Sequence, residues 1–219
     1  MSSLENFSST LAEVNMEAIE LPFNFDPDLG LTPLRKGFNS FPFRIGNYVL
    51  KISKAAGPVQ QMEENLDILR SEYKLILENM GELHIPNTTY LIAPLKEKPE
   101  RVKAVIIQPY IEGSDIKTHF SENDSDNDAL LLFFESALQM YTDTRRIPDV
   151  ANLQEYFNPL VNSNVVVTKK TDGSVTPILT DTNFGKIQRS STLGPLWSFA
   201  IAKGVSRFVQ QLKERKIKD

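Results

Sequence analysis

Hard oxygen donors flank the most strand-like stretch of the chain, Asn164 to Asn183. Val165-Val166-Val167 is a β-branched run, Asp172-Gly173 is a tight-turn dipeptide, and Pro177-Ile178-Leu179 runs back, so the stretch predicts a β-hairpin. Antiparallel return brings Asn164 and Asp181 to one edge. An amide oxygen beside a carboxylate is a ligand pair of the kind Mg²⁺ takes, with phosphate oxygens and water completing the octahedron. A surface hairpin with polar ends is the plain alternative. Lys51 is the second candidate, set between Leu50 and Ile52 in the strand-like NYVLKIS. It either guards a sheet edge or serves a site. Two acids complete the set: Glu72, within a long helical pattern, and Asp149, just past an apolar one.

The elements that must position these residues follow in order. Ser2 to Glu20 has Leu4, Phe7, Leu11, Val14 and Ile19 near helical spacing and predicts a short helix. Leu31 to Ile52 predicts strands, with Gly46-Asn47 as a hairpin turn. Gly57-Pro58 opens a long helix with the apolar stripe Met62, Leu66, Leu69, Tyr73, Ile76 and Met80, and Gly81 ends it. Glu72 lies beside that stripe, placed either to aim a carboxylate at a packed sheet or to be solvated. The stretches TTYLIAPL and VKAVIIQPYIEG predict two more strands, and the chain turns away from the sheet at Gln108 to Gly113. Ser114 to Asp128 predicts a polar loop with one helical turn, and Ala129 to Thr142 a buried helix. A loop from Val150 to Ser163 leads to the hairpin. A final helix follows, with Trp197, Phe199, Ile201, Val205, Phe208, Val209 and Leu212 as its buried face.

Composition narrows the classes. With 219 residues, 41% hydrophobic and 24% charged, the chain suits one domain or two small lobes. Net charge −4 gives no general attraction to nucleic acid. Cysteine is absent, which excludes disulfides and thiolate chemistry and fits a cytoplasmic location. The first basic residue is Arg35, so no secretory signal is expected. The longest apolar run, Ala129 to Phe134, is too short to span a membrane, and no membrane partner is expected. Asp124, Asp126, Asp128 and Glu135 fall at calcium-loop spacing, but Ala129 stands where that loop needs Gly, so they read as a helix N-cap cluster. His84 and His119 read as ordinary surface or turn residues. Arg145-Arg146 reads as solvated, with a phosphate role open to Arg145.

A sheet with one helix first, helices later, and polar residues at fixed places between them resembles the protein-kinase-like fold. The resemblance spans about Leu31 to Asn183 and is similar to that of small, divergent bacterial kinases and phosphotransferases. It implies an α+β, bilobal architecture: an N-terminal extension over 1–30, an N-lobe of antiparallel sheet plus one long helix over 31–113, and a reduced helical C-lobe over 114–219. On this resemblance Lys51 is the strand Lys that holds the ATP phosphates, and Glu72 is its helix partner. Gln108 to Gly113, with Gln108, Tyr110 and Ile111, is the hinge that meets adenine. Asp149 is the catalytic base, and Asn164 and Asp181 are the Mg²⁺ ligands.

The sequence departs from the family pattern at several places. Ile147-Pro148 precedes Asp149 where the family has His-Arg, and the loop to Asn164 is long, with Asn162 a rival ligand. Asp181-Thr182-Asn183 replaces D-F-G, and Gly37, Asn39, Ser40 and Gly46 make no Gly-rich loop. No A-P-E segment follows. The expected function is an ATP- and Mg²⁺-dependent phosphotransferase with an unidentified acceptor, small molecule or protein. The alternatives are a pseudokinase acting as a nucleotide- or protein-binding module, and AMP transfer.

Overall fold

A computed structural model describes residues 12–21, 32–34, 40–120, 124–150, 159–161, 164–182, 184, 188 and 190–216. The described residues are α+β: a six-stranded antiparallel sheet, a separate two-stranded hairpin and four α-helices. Asn162, Asn183, Gly37 and Asn39 lie outside the described residues, as do most of the predicted N-terminal helix and of the loop after Val150. The chain divides into two compact units, Met1–Ser71 with Asn87–Tyr110, and Glu72–Pro86 with Ile111–Asp219.

The first unit is built on β1 (Thr32–Pro33), β2 (Ser40–Ile45), β3 (Tyr48–Ser53), β4 (Gly57–Pro58), β5 (Thr89–Pro94) and β6 (Arg101–Pro109). The turn predicted at Gly46-Asn47 is present: Ile45 pairs with Tyr48, and Gly46 takes φ +54°, which two-residue hairpins favour there. Strand β6 is the spine. It pairs with β3 and β4 along one edge and with β5 along the other. Phe43, Leu50, Ile52, Ala93, Val105 and Ile107 form the core of one face, closed by Val14 and Met16. The helix predicted over Ser2 to Glu20 is therefore interrupted in its described part. Val14 bridges Leu95, Asn15 N–H donates to Pro94 O at 2.8 Å, and Lys96 N–H donates to Glu13 O at 2.9 Å. Edge pairing and burial of Val14 (1% exposed) outweigh the helical spacing.

Helix α1 (Val59–Met80) starts and stops where the sequence predicts, with Gly81 at φ +81° and its N–H on Leu77 O. The boundary between units falls inside it, between Ser71 and Glu72.

The second unit holds α2 (Ile116–Phe120), α3 (Asp124–Thr144), the hairpin β7 (Val165–Lys169) and β8 (Val175–Leu179), and α4 (Gly194–Lys216). The segment predicted as a loop to Asp128 is more helical than expected. Acids at the start of α3 suit the positive end of the helix dipole and let it begin early. Of the acids at calcium-loop spacing, Asp126 pairs with His119 and Glu135 with Lys213 at 2.6 Å. Phe133, Phe134, Met140, Ile147, Leu179 and Val205 are among the fully buried residues of this core. Phe199, expected on the buried face of the last helix, is instead 56% exposed. No described helix is long and apolar enough to cross a membrane.

Candidate functional site

The hairpin sets the site. Val165 pairs with Leu179, and beyond that pair Thr180 N–H donates to Asn164 O at 2.7 Å, so Asn164 lies opposite Thr180 and one residue from Asp181. The turn is held by Asp172, whose Oδ1 accepts from Ser174 N–H (2.9 Å) and Oγ–H (2.6 Å), with Gly173 at φ +85°. The hairpin is packed from two sides. Gly113-Ser114 runs against β7, where Ser114 and Val167 exchange both backbone hydrogen bonds, and a Cβ at Gly113 would collide with Val167 O. On the other side His84 Nδ1 meets Pro177 O at 2.8 Å, and Leu179 N–H donates to His84 O.

Asp149 joins the hairpin's open end. It is the centre of a three-residue turn closed by Val150 N–H on Pro148 O at 2.8 Å. Asn164 Nδ2 donates to Asp149 O at 3.1 Å, which makes Oδ1 the atom by which Asn164 would ligate a cation. Burial pushes the Asp149 carboxyl up to about 6, and the Asp181 carboxylate adds to the rise. Asp149, Asn164 and Asp181 are therefore one constellation. Among the described residues no three His, Cys, Asp or Glu side chains form a cation cage. One or two carboxylates plus an amide oxygen is the donor set Mg²⁺ uses when substrate phosphates supply the rest. The residues fit that ion.

Glu72 belongs to the same unit and is not solvated. It is 2% exposed, its Oε1 pairs with Arg146 at 3.0 Å, and its Oε2 accepts from Phe184 N–H at 3.2 Å. The Arg146 guanidinium also lies 3.9 Å from the centre of the Phe184 ring. By sequence alone Arg146 reads as surface, and the only role falls to Arg145. The available signal is position, since Arg146 stands three residues before Asp149. Ile111, partly exposed, opens this unit's second segment.

The first unit carries the other candidates. Lys51 faces Pro42 on β2 and Ile106 on β6, so its strand is interior and edge protection is not its purpose. Val49 faces Gln108 in register, and the period of two puts Lys51, Ile106 and Gln108 on one face of the sheet. Gln108 is buried at 3%. Tyr110 N–H is spent on Asn47 O at 2.7 Å, and Arg44 stacks 3.8 Å over its ring.

A further polar cluster has no signature in the sequence. His119, expected to be a surface or turn residue, is 7% exposed, with Nε2 2.6 Å from Ser114 Oγ and Nδ1 2.9 Å from Asp126 Oδ2. The order Ser, His, Asp is that of a nucleophile relay. Ser114's own N–H is spent on Val167 O and cannot serve an oxyanion. The cluster clamps α2 and the start of α3 to the segment that borders β7.

No family model and no curated protein sequence matches the chain. Among solved structures, the Legionella pneumophila Lpg2603 kinase bound to IP6 matches with a TM-score of 0.51 and 18% identity, over 82% of this chain and 60% of that one. The chain thus spans about three fifths of that protein's length. The likeness is one of fold, and the fold is kinase-like.

Proposed function

We propose that the chain is an ATP- and Mg²⁺-dependent phosphotransferase of the kinase-like superfamily, bilobal, with a reduced helical C-lobe and an unidentified acceptor. The observation that carries this reading is the convergence of Asp149, Asn164 and Asp181 at the open end of one hairpin, in a chain of kinase-like fold. Phosphoryl transfer asks a protein mainly for positioning and for charge neutralisation on the transferring oxygens. Asp181 and Asn164 Oδ1 would hold Mg²⁺, which supplies that neutralisation when bound. Lys51, on the same sheet face as Gln108, would hold phosphate oxygens. Asp149 orients the acceptor hydroxyl and takes its proton as the new bond forms. Adenine would be met by backbone groups of Gln108 to Ile111 other than Tyr110 N–H, which is committed to Asn47. A cytoplasmic setting belongs to the same proposal.

A thermal-shift titration with ATP, with and without Mg²⁺, tests it, since a ligand of the folded state raises Tm by mass action. A Mg²⁺-dependent shift that disappears in Asp181→Ala is expected, together with label transfer from ATP that is lost in Lys51→Ala. No shift under any condition refutes the reading. The second reading, a pseudokinase that binds nucleotide or protein without chemistry, is favoured by one observation. Asp181-Thr182-Asn183 stands where the kinase pattern has D-F-G. A Mg²⁺-dependent shift with no transfer of phosphate or AMP to any acceptor supports that alternative.

A further inference from the structure

We propose that Arg146 is a positioning residue for the Asp149–Asp181 pair, tying the segment that enters Asp149 and the segment that leaves Asp181 to one buried carboxylate, Glu72. The inference rests on the proposed phosphotransferase reading and adds a residue to it. Arg146 stands three residues before Asp149, and Phe184 stands three residues after Asp181. Glu72 takes both, Arg146 on Oε1 at 3.0 Å and the Phe184 N–H on Oε2 at 3.2 Å. The triangle closes where the guanidinium lies 3.9 Å over the Phe184 ring, which is fully buried. A planar guanidinium can pair and stack at once, which an ammonium cannot.

The local backbone is shaped for this. Arg145 takes φ +60°, the left-handed region that Gly81 occupies at the end of α1. A side chain in that conformation costs energy, so surrounding contacts must hold it. Thr144 Oγ1 accepts from Arg146 N–H at 3.1 Å and fixes the residue as the chain leaves α3. Ile147 then locks into the core with no exposed surface, so the path from Arg146 to Asp149 has little freedom. The helix position itself is informative. Glu72 neighbours the apolar stripe of α1 and is buried like its members Leu66 and Ile76, where a purely structural role would call for an apolar side chain. Asn164 Nδ2 on Asp149 O and Thr180 N–H on Asn164 O bring the segments bearing Asp149 and Asp181 together at the hairpin's open end, and the Glu72–Arg146–Phe184 triangle ties the same two segments a few residues away.

The test compares Arg146→Met and Arg146→Lys with the wild-type full chain, by amide hydrogen exchange and by the Mg²⁺ concentration that half-saturates the ATP-induced Tm shift. Loss of a hydrogen bond to a charged group corresponds to about tenfold or more. Exchange at the Phe184 amide is expected to rise about tenfold in Arg146→Met and less in Arg146→Lys, while β6 amides exchange as in wild type. The Mg²⁺ requirement is expected to rise in the same order, with ATP binding in the absence of Mg²⁺ unchanged. A purely structural role would lower Tm without moving the Mg²⁺ requirement, and that pattern overturns the proposal. So does a Phe184 amide that exchanges as in wild type. If Arg146→Met does not fold, Arg146→Lys, which keeps a cation beside Glu72, decides by the same two measurements. If the wild-type chain shows no ATP shift, the phosphotransferase reading has failed on its own, and Phe184 exchange alone decides whether Arg146 holds the segment.

Discussion

Replacing Asp149 by Asn should make the protein more stable, and by an amount that depends on pH. The carboxyl is pushed from the ordinary 3.8 up to about 6, by burial first and by Asp181 second. A folded-state value above the unfolded one means that folding favours the protonated form. Asp149 therefore costs nothing well below pH 3.8, and the penalty grows as pH rises and saturates above the folded value near 6. About two units at 1.36 kcal/mol each gives roughly 3 kcal/mol at pH 7 and above. The same linkage gives about 1.5 kcal/mol at pH 5 and about 0.5 kcal/mol at pH 4. Asn cannot ionise, so Asp149→Asn should recover those amounts, less whatever its amide loses in imperfect hydrogen bonding. Urea unfolding of both proteins at pH 5, 6, 7 and 8 reads the difference directly, with equal m-values as the check that the unfolding reaction is unchanged. A stability difference that is flat with pH, or one in which Asn is worse at pH 8 than at pH 5, would refute the reasoning that Asp149 is held against its own charge.

Three other outcomes follow from the same geometry. If Asp149 acts as base, transfer from ATP at saturating Mg²⁺ should rise with pH across the acid range, at a lower pH than in the metal-free protein because the cation offsets the Asp181 charge, and lose that rise in Asp149→Asn, measured as rate against pH with labelled ATP. Gly113→Ala drives a Cβ into the Val167 carbonyl and should cost about 2–3 kcal/mol in urea unfolding, whereas Ala at the exposed Gly81 strains only its own φ. His119→Ala removes a hydrogen bond from the buried Asp126 carboxylate and should cost about 2–3 kcal/mol, with Asp126→Asn in the same chain recovering part of it; full additivity in that double-mutant cycle would deny the coupling.

How much of this is legible in the sequence depends on the range of the interaction. Gly46, Gly81 and Gly173 mark turns and a helix end through backbone conformations set within a few residues, and all three lie where the sequence predicts. The hairpin register follows from the same local chemistry, so the sequence alone places Asn164 and Asp181 near each other. Lys51 stands out by itself as an anomaly in an apolar strand. That the strand is interior depends on its pairing with β6, more than fifty residues away. Local patterns fail where distant partners decide. Val14 abandons the helical spacing because Leu95 offers an edge, and His119 is buried because Ser114 and Asp126 close around it. Phe199 sits on the spacing of a core residue and is exposed, since periodicity gives a face but not what covers it.

Arg146 shows where sequence pattern and site logic part. Nothing in the run Arg145-Arg146 distinguishes its members, and both look solvated. The structure separates them by one backbone angle, since the left-handed turn at Arg145 leaves its side chain exposed and sends the next residue toward Glu72. Glu72 then explains why an acid is tolerated beside an apolar stripe: burying a carboxylate is costly unless hydrogen bonds and an opposite charge meet it, and Arg146 with the Phe184 amide supplies both. The same physics gives the opposite balance at Asp149. Its carboxyl is buried near another carboxylate, and its raised value means that these two effects outweigh whatever favours its charge. In one unit, then, a buried acid met by a cation sits within reach of the segments bearing an acid whose ionisation the fold opposes. An Asn in that place would fit the same space without the penalty, so stability alone does not account for the carboxyl. Its position beside the Asn164 and Asp181 oxygens is a physical argument for the proposed chemistry, in which a bound cation or a transferred proton would offset the charge that burial disfavours.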